Sequence, residues 1–440
     1  MSRKPLARGS IIVGLAVALI GLGTALPFFG DDSPGTPAAA SGASFVGVSS
    51  NDLTANLTAL RAHLAAQPQD THGWALLAQG YVEQARLVAD PSYYSKAEEA
   101  IARSLALDSA DNAAAYSARA ALASARHDFA LALSSAREAL AINPLDQVGL
   151  AIRTDALTEL GRYNKARHSA MAMDSHRPGL PATTRLAYQA ELRGHLRSAA
   201  ASFARAAAHS TGSDLAFALV HQANLERSLG KLNVAEHLYR NALLAHPDDP
   251  TALAGLAHMA VARGNISAAT VRARDVATLL PVPENVTFYA ELLLVQGKTA
   301  QARQQFAVEQ ATAQLAAAQG VNVDLELAQF FADHGDPRKA LQSARETWAA
   351  RHTVHTADAL GWALHVNGKD QQALRLVKQA NALGTGSAQF LQHLGIVEAA
   401  LGHDAAARTH LTQALAADPG YSPWQQQNIR QALLSLDGPS

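Results

Sequence analysis

After residue 50 the apolar residues of this chain recur at i, i+3, i+4 and i+7, the spacing that gathers them on one face of a helix. Each run lasts roughly thirteen residues before a polar turn interrupts it, so the chain reads as a long succession of short helices. Helices of that length are marginal alone and need a neighbour to cover the apolar stripe. Before residue 50 the pattern differs. Residues 11–30, IIVGLAVALIGLGTALPFFG, hold no charged residue, and twenty residues at ~1.5 Å rise suffice to span a bilayer. Arg3, Lys4 and Arg8 precede this run and Asp31 and Asp32 follow it. That asymmetry predicts a cytoplasmic basic segment 1–10, a transmembrane anchor or signal peptide over 11–30, and a body outside the cytoplasm. Cleavage near Gly23-Thr24-Ala25 would secrete the same body instead of tethering it. Residues 31–50, rich in Ser, Gly, Pro and Ala, read as a flexible spacer.

Within the body a period emerges from the glycines between apolar runs. Gly161, Gly194, Gly230, Gly264, Gly297, Gly335, Gly368 and Gly402 follow one another at spacings of 33, 36, 34, 33, 38, 33 and 34 residues. Five residues past each glycine stands an alanine, from Ala166 and Ala199 to Ala373 and Ala407. Pro178, Pro247, Pro281 and Pro419 close their units. The glycine supplies a positive φ where a first helix ends, the small residues let two helices cross closely, and the proline stops the second helix. Two units come earlier. The first carries Trp74, Leu77, Ala78 and Tyr81, with a lengthened turn around Pro91. The second carries Tyr116, Phe129 and Ala132, with His127 in place of the turn glycine.

This grammar resembles the tetratricopeptide repeat (TPR), W-x2-LG-x2-Y, then G-x-Y-x2-A, then F-x2-A and P, over residues 71–421. It is similar to the membrane-anchored or secreted bacterial type of such proteins. The resemblance implies an all-α, right-handed superhelical solenoid of about ten helix pairs, the first and seventh irregular. Residues 51–70 would form an N-terminal capping helix and residues 422–440 a C-terminal capping helix and tail. Stacked pairs of this kind bury one thin core and leave a concave groove.

Composition narrows the function. The 440 residues are 48% hydrophobic but only 5% aromatic, the helix-forming mix of an alanine- and leucine-rich chain. With 36 Lys+Arg against 37 Asp+Glu the chain is not a nucleic-acid binder driven by phosphate neutralisation. Having no cysteine, it has no disulfide, thiolate zinc site or thiol nucleophile. No phosphate-binding loop, nucleophile elbow, HExxH or dinucleotide-type glycine fingerprint occurs, and the array leaves no room for a catalytic domain. The expectation is a protein that is not an enzyme and uses no cofactor or metal. The 18 histidines are scattered: His352 and His355 straddle a turn, and His355 and His365 lie three turns apart on one helix. Solvated or capping histidines explain that spacing better than metal ligands do. Protonating all of them would carry the formal charge from −1 to about +17, so solubility and partner binding are expected to change between about pH 7.5 and 5.5.

The remaining surface is the groove. In the arrays that this chain resembles, set positions of each first helix line it. Carried over, that register nominates Tyr188, Glu191, Asn224, Arg227, His258, Glu291, Gln329, Asp358, Trp362 and His365 as a partner-binding row. Asp358, Trp362 and His365 fall at i, i+4 and i+7 on one helix face. A clamp for a C-terminal carboxylate, which some relatives build from paired asparagines and several basic residues, lacks its second Asn and its lysines here. The expected function is a non-catalytic, membrane-tethered scaffold that holds a protein or peptide in its concave groove. The alternatives are a periplasmic small-ligand or metal binder using groove histidines, and an accessory subunit of an envelope assembly or polysaccharide export machine.

Overall fold

A computed structural model describes residues 50–437, with side chains from Leu53 onward. The segments expected over 1–10 and 11–30, and residues 31–49 of the spacer, lie outside the described residues. Among the described residues there are 22 helices and no strand, and no helix is long and apolar enough to cross a membrane. After α1 (Ser50–Ala66) come α2 (Thr71–Val88) with α3 (Tyr93–Leu107), α4 (Ala113–Ala125) with α5 (Phe129–Ile142), and α6 (Gln147–Glu159) with α7 (Tyr163–His176). There follow α8 (Leu180–Glu191) with α9 (Leu196–Ala207), α10 (Gly212–Ser228) with α11 (Leu232–Ala245), and α12 (Pro250–Ala262) with α13 (Ile266–Leu279). The array ends with α14 (Pro283–Val295) and α15 (Thr299–Ala318), α16 (Asp324–His334) and α17 (Pro337–Ala350), α18 (Val354–His365) and α19 (Asp370–Ala380), and α20 (Ala388–Ala400) and α21 (Asp404–Ala417). Last comes α22 (Pro423–Leu436). Each first helix packs on its own second helix, which then packs on the next unit, except that α15 meets α16 through large side chains, Phe306 on Phe330.

Local chemistry sets these boundaries. Asp70, Asn112, Asp146 and Asp249 stand just before first helices and accept first-turn backbone N–H groups, each cap contributing about 1 kcal/mol. Seven of the turn glycines have φ between 69° and 74°, as their position demands. Gly335 departs from the pattern: its φ is −135°, and a Cβ there would sit 2.5 Å from the Phe331 ring, so this glycine serves close packing. His127, in the equivalent turn of the second unit, takes φ 58° without being glycine. The uneven spacings also have causes. The interval of 38 holds the 20-residue α15, and the interval of 36 holds the 17-residue α10.

The alanines five residues past the turn, from Ala166 through Ala407, are all 0% exposed. They lie where two helices cross, and a larger side chain would force the helices apart. Gly255 does the same from the first-helix side, where a Cβ would meet the ring of Tyr239 at 2.2 Å.

The ribbon of pairs winds until its own edges meet. Ala89 packs on Val282, and the Nδ1–H of His127 donates to the Asn322 carbonyl at 2.8 Å. Arg351 binds Glu159 at 2.5 Å, the backbone N–H of Val354 donates to the Tyr163 hydroxyl at 2.9 Å, and Arg227 binds Asp418 at 2.9 Å. The partners are separated by 195, 192, 191 and 191 residues in the hydrogen-bonded cases. That is about five and a half units per superhelical turn. The turn inside one pair thus abuts the turn between two pairs of the next winding. We call this contact line the seam.

Candidate functional site

The seam and the tight winding change what the inner face is. Of the ten nominated groove residues, Asp358, Glu291 and Trp362 are buried at 0%, 5% and 8% exposure. The other seven are half-buried. Most of them meet the chain itself. On α8 the Tyr188 hydroxyl lies 3.4 Å from His355 Nε2 across the seam. Asn224 accepts the Tyr239 hydroxyl at 2.5 Å, and Arg227 is held by Asp418. The Nδ1–H of His258 donates to the Gly420 carbonyl at 2.9 Å, and its ring lies on Phe288. His365 donates to Asp370 at 2.6 Å. Gln329 lies half-buried on α16.

Residues of α14, α15, α16, α18 and α20 form a polar cluster in the interior. His393 Nδ1–H donates to both oxygens of Asp358, at 2.9 and 3.0 Å, and its ring stacks on Trp362 at 4.1 Å with 7° between planes. The Trp362 indole N–H donates to Asp333 at 2.8 Å, and the other Asp333 oxygen accepts from Gln425 at 3.0 Å. His334 binds Glu291 at 2.9 Å, while Thr287 donates to Glu309. From α22, Trp424 packs on His334 with centroids 4.6 Å apart, and Gln425 accepts from Gln392. The start of α22 therefore reaches across the bore to the opposite wall.

Electrostatics follow from burial. Burial would strip His393 of its proton, but Asp358 and, behind it, Asp333 override that and raise its pKa. His334 is raised in the same way: burial opposes, Glu291 prevails. No carboxylate hydrogen bond among the described residues holds the proton on four other histidines, and burial pushes His127, His221, His258 and His355 down to about 4. Desolvated acids move the other way. Burial pushes Glu191, Glu309 and Glu326 up to about 7. Glu326 accepts no hydrogen bond at either buried oxygen, and His127 Nδ1 lies 3.8 Å from one of them. Glu191, at the end of α8, has only burial acting on it and no ion pair among the described residues.

Asp333, His334, Glu309, His393, Gln392, Trp424 and Gln425 did not emerge from repeat register. The signal for two of them was present: an acid and a histidine, Asp333-His334, close an otherwise largely apolar first helix, LELAQFFADH. Nothing in the register places α22 inside the bore. Among the described residues, no group of three or more His, Asp or Glu is arranged to hold a metal ion.

No protein-family model matches the chain, and no curated protein matches it. Solved structures resemble it at low identity. The hetero-tetramer Cut9-Hcn1 of APC/C is 14% identical over 87% of this chain and 93% of that one, with a TM-score of 0.38. A human IFIT1 dimer with PPP-AAAA is 14% identical over 83% and 86%, with a TM-score of 0.44. Naa15/Naa10 bound to HypK-THB is 15% identical over 87% of this chain and 64% of that one, with a TM-score of 0.26.

Proposed function

We propose that the chain is a non-catalytic interaction scaffold, tethered to a membrane through residues 11–30 with its helical body outside the cytoplasm, and that its inner wall holds a protein or peptide. The observation that supports this reading is Glu191. It sits at the inner end of α8 beside Tyr188, desolvated enough to keep a proton up to about pH 7 and unpaired among the described residues. A half-buried, desolvated acid left without an ion pair costs stability. Retaining it makes sense where a partner's amide, lysine or arginine supplies the missing donor. Half-buried Tyr188 on α8 and Gln329 on α16 offer an aromatic surface and an amide from two first helices.

The test is photo-crosslinking of the full chain in its native envelope, comparing the natural protein with Glu191→Ala and Tyr188→Ala. Adducts lost in both variants, with protein level and helicity unchanged, support an inner-wall partner. An unchanged adduct pattern removes the inner wall from consideration.

A further inference from the structure

Charge is sorted between the two layers of the ribbon. The first helices, α2 to α20, carry thirteen acids and five Lys or Arg, whereas the second helices, α3 to α21, carry seventeen Lys or Arg and ten acids. A net charge of −1 conceals this division. On α3, α5, α11, α15 and α21 the basic residues are equalled in number by acids on the same helix. On α7 and α9 they are not. Lys165, Arg167, Arg197 and Arg205 are exposed and make no ion pair among the described residues, and the only acid on those two helices is half-buried Asp174.

The winding doubles this patch. Gly161, between α6 and α7, lies against the His352 carbonyl before α18, and Gly194, before α9, lies against the Gly384 carbonyl after α19. The unit holding α17 therefore continues the wall from α7, and the unit holding α19 continues it from α9. Those two helices add five exposed Lys or Arg, Arg345 and Lys378 among them, none in an ion pair among the described residues. Their acids are Glu346, exposed beside Gln342, and Asp370, already held by His365. Nine uncompensated cations thus share one outer wall, drawn from stretches of chain some 170 residues apart in sequence.

We propose that this wall of α7, α9, α17 and α19 docks on an anionic lipid headgroup surface. The proposal rests on the tethered reading above, and charge complementarity is its first argument. Each Lys or Arg near an anionic surface contributes roughly 1 kcal/mol, within a Debye length of about 8 Å. Reach is the second. On the tethered reading, a flexible linker of twenty residues would span about 25 Å root-mean-square, holding the body next to the bilayer at high effective concentration. Docking would orient the solenoid side-on, with its bore parallel to the membrane.

Because the chain has no cysteine, one introduced thiol labels one site. The full chain, labelled at Ser198→Cys on α9 or at Val271→Cys on α13, is reconstituted into neutral vesicles and into vesicles with about 30% anionic lipid, each carrying a headgroup energy acceptor. The α9 label is expected to transfer energy strongly in anionic vesicles and weakly in neutral ones, while the α13 label does not distinguish them. Charge reversal by Lys165→Glu with Arg197→Glu, or salt at about 0.5 M, is expected to weaken docking roughly tenfold or more. Equal transfer from α9 in both vesicle types, or indifference to charge reversal, overturns the proposal. So does a response of the α9 label to soluble heparin but not to anionic vesicles, which assigns the wall to a soluble polyanion. Vesicle flotation in high salt reads the tether separately. A chain that floats only with anionic vesicles at low salt disproves the anchor and supports the wall, and one that floats with neither overturns both.

Discussion

Gly194 and Gly230 share one backbone conformation, with φ of 72° and 74°, yet they stand in different surroundings. A Cβ on Gly194 would lie 2.3 Å from the Gly384 carbonyl, whereas a Cβ on Gly230 would meet nothing within 4 Å. Gly230→Ala should therefore cost only the positive-φ strain, about 1–2 kcal/mol. Gly194→Ala should cost about 3 kcal/mol or more, because the seam must also shift. Urea melts of the two variants measure the difference, and equal losses would show that the seam is not in contact. The buried acids and histidines set the pH response at the same scale. Glu191, Glu309 and Glu326 bind protons more tightly folded than unfolded, so their contribution falls as pH rises from about 4.5 to 7 and is constant above that. The four histidines held near 4 act oppositely: stability is gained as pH rises from about 4 to 6.5. The two sets largely cancel between pH 4.5 and 6.5. Glu191→Gln removes one side of that balance, and should stabilise the fold by roughly 2 kcal/mol at pH 8 but by nothing near pH 4.5. These same four histidines stay uncharged at pH 5.5, so the rise toward +17 expected from composition falls short by at least four charges.

Between elements, stability comes from two kinds of contact. Apolar burial joins successive helices, and every turn of the repeat supplies it. The seam joins units far apart and adds polar contacts to apolar ones: Ala89 on Val282 and Leu192 in one cluster with Val354, beside the pairs Arg351 with Glu159 and Arg227 with Asp418 and the histidine-to-carbonyl bonds of His127 and His258. Arg351 is 7% exposed in its side chain and also lies 4.8 Å over the Phe129 ring, so losing either member of its pair leaves a largely desolvated charge. Arg351→Ala is expected to cost about 3 kcal/mol and Glu159→Ala a similar amount, with a double-mutant coupling of about 2 kcal/mol. Additive losses would mean that the pair does not form. The Asp358–His393 pair binds neighbouring units within one winding at 0% and 1% exposure. Asp358→Leu strands a buried imidazole and should be the more damaging change, at about 3–5 kcal/mol.

At the scale of the whole molecule, the seam makes the superhelix a closed winding rather than an open spring. Small-angle scattering should give a compact envelope for the natural chain. Arg227→Ala combined with Arg351→Ala should raise its radius of gyration, with little change in helicity by circular dichroism. A profile unaffected by the pair of substitutions would place the closure elsewhere. The helix pairs were legible in the residues because their determinants are local. A turn glycine followed five residues later by a fully buried alanine states where two helices cross, and Asp or Asn before an apolar run states where a helix begins. The exceptions are legible only afterwards. Gly335 fits the period but not the conformation, and His127 fits the conformation without being glycine.

The inner face was only half legible, for a different reason. Register nominated Asp358, Trp362 and Glu291 for the inner side of their helices, but their burial depends on what lies opposite, and the α22 start that brings Trp424 and Gln425 there belongs to no repeat. The outer wall is a sharper case. Lys165 and Lys378 are ordinary surface residues in sequence, and only the pitch of the superhelix makes their units neighbours. That pitch is the sum of many small rotations between adjacent pairs, so no single motif encodes it. Residue order alone determined the helices, their pairing and the small side chains at each crossing, because those depend on contacts within about forty residues. The tertiary structure alone decided which turns touch across the seam, which acids lose their water, and where the cations gather, because those depend on how the rotations accumulate over a full winding.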